Sequence, residues 1–359
     1  MKRVYNFGAG PSTIATEVLL KAQEELLDFK GSGMSVMELS HRSKLYDDVH
    51  NEAISLVREL YKVPDNYSIL FLQGGASLQF AMVIQNLYKG GVIEYADTGS
   101  WSAKAIKEAK IQGVEHKIVA SSKESGYDHI PEVKFSDDAD FCYITSNNTI
   151  YGTQYKEFPK TKAPLVVDAS SDLFSYLIDW DRVDLLFAGA QKNAGPSGVT
   201  IVIIKNELLD RVSDTIPTML RYKTHADANS LYNTPPTFGI YMLNLVLNWL
   251  KQKGGIEEID RYNQKKAKIL YDAIDNSNGF YVGHAREDSR SLMNVSFNIK
   301  DKDEELEKRL LKEAEEKDLI GLKGHRSIGG LRASIYNAMS IEGVEALVEL
   351  MQDFAKRNG

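Results

Sequence analysis

Cysteine is all but missing from this chain. Cys142 is the only one in 359 residues, which excludes an intrachain disulfide and a metal centre built on several thiolates. Its surroundings, DFCYIT, read as a buried strand, so it is expected to act as a small core hydrophobe. Long apolar runs are missing too. The most apolar late stretch, IYMLNLVLNWL at 240–250, is too short to span a bilayer and contains two asparagines. No apolar segment follows the basic residues of MKRVYNFGAGPST, so no secretory signal is visible, and a cytoplasmic protein with no membrane partner is expected. Positive charge is in deficit: 43 basic residues face 50 acidic ones, a net −7 with histidines neutral. That balance argues against a nucleic-acid surface but leaves room for a local basic pocket that takes a small anion. Internal repeats and low-complexity linkers are absent. So are a Walker A loop and a G-x-G-x-x-G dinucleotide fingerprint.

What is present is a long α/β pattern. The length calls for two domains, or one large and one small. Helical spacing predicts helices over 16–30 and 47–62, the first stopped by Gly-Ser-Gly at 31–33. From SILFL at 68–72 onward, short apolar runs alternate with helical segments, through ADFCYIT, APLVVDA, VDLLFAG and VTIVIIK. This is the pattern of a largely parallel sheet covered on both faces. After Gly254-Gly255 the texture becomes polar and amphipathic. The expected division is a large domain over 16–255 and a small α/β domain over 256–359, with residues 1–15 packing on the small one.

In open α/β sheets, ligands gather beyond the carboxyl ends of the strands. The residues just after each apolar run are Gly74 to Ser77, Asp97 to Trp101, Thr149, Asp168 and Lys192. Gly74-Gly75 opens a helix whose free N–H groups attract phosphate, although strand–Gly–Gly–helix turns are common in proteins that bind none. Asp168 ends the run PLVVD, where a buried carboxylate is costly unless a cation meets it; a helix cap or a metal ligand are the rival readings. Lys192 lies in FAGAQKNAGPSG, a stretch of small residues that leaves room around one long amine. By itself it reads as a solvated loop charge; in a dry pocket it becomes a nucleophile toward carbonyls. Trp101 reads equally as a core residue or as a flat stacking surface. Taken together, these groups answer the needs of pyridoxal phosphate (PLP): a lysine, an acid for the pyridine nitrogen and a phosphate cup.

The segments YNFGAGPS, MELSHRS, FLQGGAS, VVDASSD, FAGAQKNAGPSG and YNTPPTF, with the late pair GHRS and LRAS, resemble the phosphoserine aminotransferase family of class V aminotransferases. The resemblance runs in order from residue 4 to the closing helix. It implies the aspartate-aminotransferase-like fold of type I PLP enzymes, with a mostly parallel, seven-stranded-type sheet in a large PLP-binding domain and a smaller α/β C-terminal domain. It also implies a ping-pong transaminase of serine synthesis, moving an amino group between L-glutamate and 3-phosphohydroxypyruvate, and leaves open a role in pyridoxine synthesis through 4-phosphohydroxythreonine.

Residue by residue, the resemblance assigns Lys192 the cofactor linkage and the proton shuttle, Asp168 the pyridine nitrogen, Trp101 the ring face and Thr149 the ring edge. Ala76 and Ser77 backbone groups, with Gln191, would hold the cofactor phosphate, one PLP per subunit. Asn233 and Thr234 would reach that phosphate from the neighbouring subunit of a homodimer. His41, Arg42, His325 and Arg326 form the expected substrate-anion set, and Arg332 the α-carboxylate clamp, since a guanidinium meets a carboxylate in two parallel hydrogen bonds. No metal is implied. One departure stands out: Ser77 occupies a position where many members carry an arginine that adds to substrate-phosphate binding. A serine or alanine:glyoxylate transaminase and a PLP-fold module without turnover are the rival readings. A cysteine desulfurase fits poorly, because Cys142 sits in a strand.

Overall fold

The computed structural model describes residues 3–359; Met1 and Lys2, part of the N-terminal stretch expected on the small domain, lie outside the described residues. The apolar runs become one seven-stranded sheet: β1 (Tyr67–Leu72), β2 (Ile93–Asp97), β3 (His116–Ser121), β4 (Phe141–Thr145), β5 (Leu165–Asp168), β6 (Leu185–Gly189) and β7 (Thr200–Lys205). Its spatial order is β1-β7-β6-β5-β4-β2-β3. Only β7 runs against its neighbours β1 and β6; the other four pairings are parallel. The carboxyl ends of the six co-directional strands therefore share one edge of the sheet.

Both faces of these strands are apolar because both are covered. Ile69 and Phe71 of β1, with Cys142 and Ile144 of β4, pack into the core on one face. Leu70, Leu72, Phe141 and Tyr143, the residues between them, pack into the core on the other. The thiol of Cys142 is buried, and its pKa is pushed up to about 12 by desolvation, as befits an inert core group.

The helices named below are α1 (Thr16–Glu24), α2 (Lys44–Leu60), α3 (Gly75–Leu87), α4 (Ser100–Ile111), α5 (Thr237–Gln252), α6 (Ile256–Asp275), α7 (Glu304–Glu316) and α8 (Ile341–Asn358). Two of them depart from expectation. The helix expected over 16–30 stops at Glu24, because the Asp28 carboxylate accepts the Gly33 N–H at 2.7 Å and draws 28–33 into a turn. The helix expected from residue 47 begins at Lys44, where the Ser43 hydroxyl caps the Tyr46 N–H.

A third core gathers Leu270 and Ile274 of α6, Val295 and Phe297 of a small antiparallel sheet, and Leu347 and Phe354 of α8. That sheet comprises β8 (Tyr281–Gly283), β9 (Asn294–Ile299) and β10 (Leu331–Ser334). The chain's beginning belongs to the same core: Tyr5–Asn6 pairs in parallel with Leu319–Ile320, and Phe7 is fully buried there. Burying such a side chain contributes roughly 2–3 kcal/mol. By contrast Ile256 and Ile259, at the start of α6, pack into the large core. The two bodies meet closely at Gly152, where an added Cβ would lie 2.7 Å from the Asn294 carbonyl oxygen. Among the described residues no helix is long and apolar enough to cross a membrane.

Candidate active site

Seven residues expected at one site line a single cavity of ≈ 140 Å³: Ala76, Ser77, Trp101, Thr149, Asp168, Gln191 and Lys192. They come from the ends of β1, β2, β4, β5 and β6, so the strand order assembles them. A larger groove of ≈ 590 Å³ lies between the N-terminal segment and α6, lined by Trp249, Tyr262 and Ser340 among others. It holds none of this constellation, and chemistry rather than size identifies the smaller cavity as the site.

Lys192 is half-buried, and its ammonium donates to the Thr149 hydroxyl at 2.7 Å. Its pKa is lowered to about 8, first by removal from water and also by the positive charge of Arg332; Asp168 and Asp172 oppose the shift. Its backbone is held by the N-terminal segment. The Ser12 hydroxyl donates to the Lys192 carbonyl, and the Ser12 N–H donates to the Gln191 carbonyl at 2.9 Å. Gly10 passes so near that a Cβ would lie 3.3 Å from Lys192 Cγ.

Asp168 is 4 % exposed. Among the described residues its carboxylate accepts only from Ser170, through the N–H at 3.0 Å and the hydroxyl at 2.6 Å, both on Oδ1. Burial raises its pKa, against the pull of Ser170 and Lys192. Beneath it lies Asp172, whose carboxyl is pushed up to about 6 by burial while Ser146, Gln154 and Tyr176 donate to it. The Ser146 N–H in turn donates to the Asp168 carbonyl at 3.0 Å, tying β4 to β5 at the floor of the site.

Trp101 stands in the first turn of α4, its ring centroid 5.9 Å from Lys192 Nζ. The turn is anchored by Asp97, buried at the end of β2, which accepts the Ser102 hydroxyl at 3.0 Å and the Tyr127 hydroxyl at 3.1 Å. Lining the same cavity, α3 begins at Gly75 with no side-chain cap on its first N–H groups among the described residues. Gly74 makes that turn possible: its φ is 89°, and a Cβ there would fall 2.4 Å from Leu78 Cδ2. Near the site, Trp101 Nε1, Thr145 Oγ1 and Arg332 Nε are buried without partners among the described residues.

Arg332, on β10, brings the C-terminal body to the cavity, donating to the Thr149 carbonyl at 3.4 Å. His325 is half-buried beside it; its pKa is lowered by desolvation and by the charges of Arg332, Arg326 and Lys104. Arg326 is exposed. The remaining expected residues do not line the cavity of their own chain. His41 is half-buried and Arg42 exposed, both just ahead of α2. Asn233 and Thr234 are exposed on a loop beside Gln73, whose side chain donates to the Thr234 carbonyl at 3.2 Å. Sequence reasoning did not single out Ser12, Gly10, Asp172 or Lys104. The small residues of GAGPS signalled close approach to something, and only the fold identifies Lys192 as the partner.

The family model described as aminotransferase class-V matches residues 4–347. The phosphoserine aminotransferase of Campylobacter lari is 58% identical over 357 residues, 99% of this chain and 99% of that protein. The solved phosphoserine aminotransferase of Bacillus circulans subsp. alkalophilus superposes with a TM-score of 0.97 at 49% identity, with each chain fully covered. A PLP-bound phosphoserine aminotransferase from Trichomonas vaginalis superposes with a TM-score of 0.93 at 39% identity, covering 98% of this chain and 100% of that one.

Proposed function

The chain belongs to the class-V aminotransferases, and on that premise we propose how its residues carry out the phosphoserine aminotransferase reaction. The enzyme is a PLP-dependent transaminase. It moves an amino group between L-glutamate and 3-phosphohydroxypyruvate, giving O-phospho-L-serine and 2-oxoglutarate. The observation that carries the residue assignment is the meeting of Lys192, Asp168 and the start of α3 in one cavity, from strand ends far apart in sequence.

The site fits the cofactor. Asp168 is a buried carboxylate with one oxygen uncommitted, the α3 N-terminus has no side-chain cap to compete with a phosphate, and the Trp101 and Thr145 polar atoms lack partners. When bound, PLP supplies an aldehyde that exchanges with amines and a ring that takes up electrons released at Cα. Lys192 contributes an amine that sheds its proton readily, and that amine is placed to move the Cα proton. Asp168 holds a proton at the pyridine nitrogen. Trp101 would cover a ring face and exclude water, and Thr149 orients Lys192 Nζ. Backbone N–H groups of Ala76 and Ser77, with the Gln191 side chain, take the cofactor phosphate. Arg332 clamps the α-carboxylate. Both amino acids need that one clamp, so they use the site in turn, which is the ping-pong order.

His41, Arg42, His325 and Arg326 are the proposed set for the substrate phosphate. Purified enzyme loaded with PLP is expected to use O-phospho-L-serine with a kcat/KM at least about 100-fold above that for L-serine, because a cationic set that pairs with a phosphate gives no such binding to a ligand without one. A panel of amino donors and keto acids measures this. Equal turnover of the two donors, or preference for glyoxylate as acceptor, would overturn the substrate assignment.

The proposal includes the division at 255/256, a cytoplasmic location, and a homodimer holding one PLP per subunit. The dimer accounts for the residues that do not meet the cavity of their own chain: Asn233 and Thr234 sit on an exposed loop with Tyr232, an aromatic left 53% exposed. Sedimentation equilibrium is expected to return twice the 40.2 kDa of one chain. A monomer at catalytic concentrations would rule out the shared site.

A further inference from the structure

Lys104 has no place in the machinery described above, yet its side chain lies against it. It follows Trp101 by three positions on α4, so the two side chains share a helix face. Its Nζ sits 4.0 Å from the centroid of the Trp101 ring, the same ring that Lys192 approaches. Glu108, one turn on, offers an ordinary i,i+4 ion pair of the kind that Lys44, Lys223 and Lys268 make. Among the described residues Lys104 makes no ion pair; it turns back over the indole instead.

A cation here would add to the phosphate set of His41, Arg42, His325 and Arg326. A phosphate monoester carries close to two negative charges near neutral pH, and Ser77, at the cavity wall, is neutral. His325 is held toward its neutral form by desolvation and by the charges of Arg332, Arg326 and Lys104, so Lys104 lies within electrostatic reach of that histidine. Arg332 is committed to the α-carboxylate. A flexible ammonium with three donors, uncommitted to any carboxylate, suits a tetrahedral dianion well.

We propose that Lys104 is a further specificity residue of this site: its ammonium binds the phosphate of the phosphorylated substrate and favours it over unphosphorylated amino acids. This rests on the phosphoserine reading above. The test uses PLP-loaded wild type with Lys104→Gln and Lys104→Arg, and Lys104 is exposed, so the fold is not at stake. Two readouts are needed: kcat/KM for O-phospho-L-serine, L-glutamate and L-serine, and the Kd of O-phospho-L-serine followed by tryptophan fluorescence. Lys104→Gln is expected to lower kcat/KM for O-phospho-L-serine about tenfold or more through KM and to weaken its binding similarly. L-Serine turnover should stay within about twofold, and Lys104→Arg should recover most of the loss. A double variant, Lys104→Gln with Ser77→Arg, is expected to regain phosphoserine preference, because the cation returns at another residue of the cavity lining. Equal losses on all three donors would show that Lys104 only supports Trp101 and would overturn the assignment, as would no loss at all. Wild type that fails to distinguish O-phospho-L-serine from L-serine would instead refute the parent reading.

Discussion

Lys192→Ala is expected to leave a folded chain whose transamination has fallen by at least about 10⁴-fold, since one amine supplies both the cofactor linkage and the proton transfer. The fold should tolerate the change. The ammonium makes one side-chain hydrogen bond, to Thr149, while the segment is held by backbone contacts with Ser12. Borohydride reduction of the loaded wild type followed by peptide mapping should find the pyridoxyl group on Lys192, and a label elsewhere would sink the assignment. The same residue sets a pH dependence. Burial disfavours the charged amine and lowers its pKa to about 8, with Arg332 acting in the same sense. Capture of added PLP by the cofactor-free chain should therefore quicken about tenfold per pH unit below that value and level off above it. A rate that keeps climbing toward the ordinary lysine value of 10.5 would show that the amine is not in a dry site.

Asp168→Asn separates chemistry from stability. An amide cannot hold a proton at the pyridine nitrogen by charge, so turnover is expected to fall roughly 10³-fold, the scale of removing a preorganised electrostatic partner. Cofactor-free stability should move the other way. Burial raises the pKa of Asp168 above its ordinary 3.8, so its ionised form costs more in the folded chain than in the unfolded one. The stability linked to that proton is present below the unfolded value and is lost as pH rises through the folded one. At neutral pH the cofactor-free Asp168→Asn variant should thus be at least as stable as wild type in urea, with its advantage shrinking as pH falls through the raised folded value and gone below the ordinary 3.8. A variant that loses stability and activity together would mean that Asp168 is only a brace.

Asp168 also shows how far sequence reading reaches. A carboxylate closing an apolar run, a lysine among small residues and a double glycine before a helix are local features, and each was legible because strand burial, backbone freedom and helix termini act over a few residues. That is why the strands Tyr67–Leu72 and Leu165–Asp168 fall almost where the apolar runs place them. The helix expected to 30 ended at Glu24 because a side chain–backbone turn at Asp28 outcompetes a weak helical periodicity, and periodicity alone does not register that competition.

Distance in sequence is where legibility ends. Ser12 reaches the Lys192 carbonyl, Arg332 reaches the loop of Thr149, and Lys104 lies over Trp101 rather than pairing with Glu108. The types of group needed for the chemistry, and the family they resemble, were determined by the sequence itself, through short-range preferences written into each segment. Which of those groups share a cavity, and how far each is drawn out of water, was decided by the tertiary structure. The order β1-β7-β6-β5-β4-β2-β3 sets which strand ends are neighbours, and burial there moves a lysine down to about 8 and an aspartate up. Desolvation depends on everything packed around a group, and that sum exists only once the chain has folded.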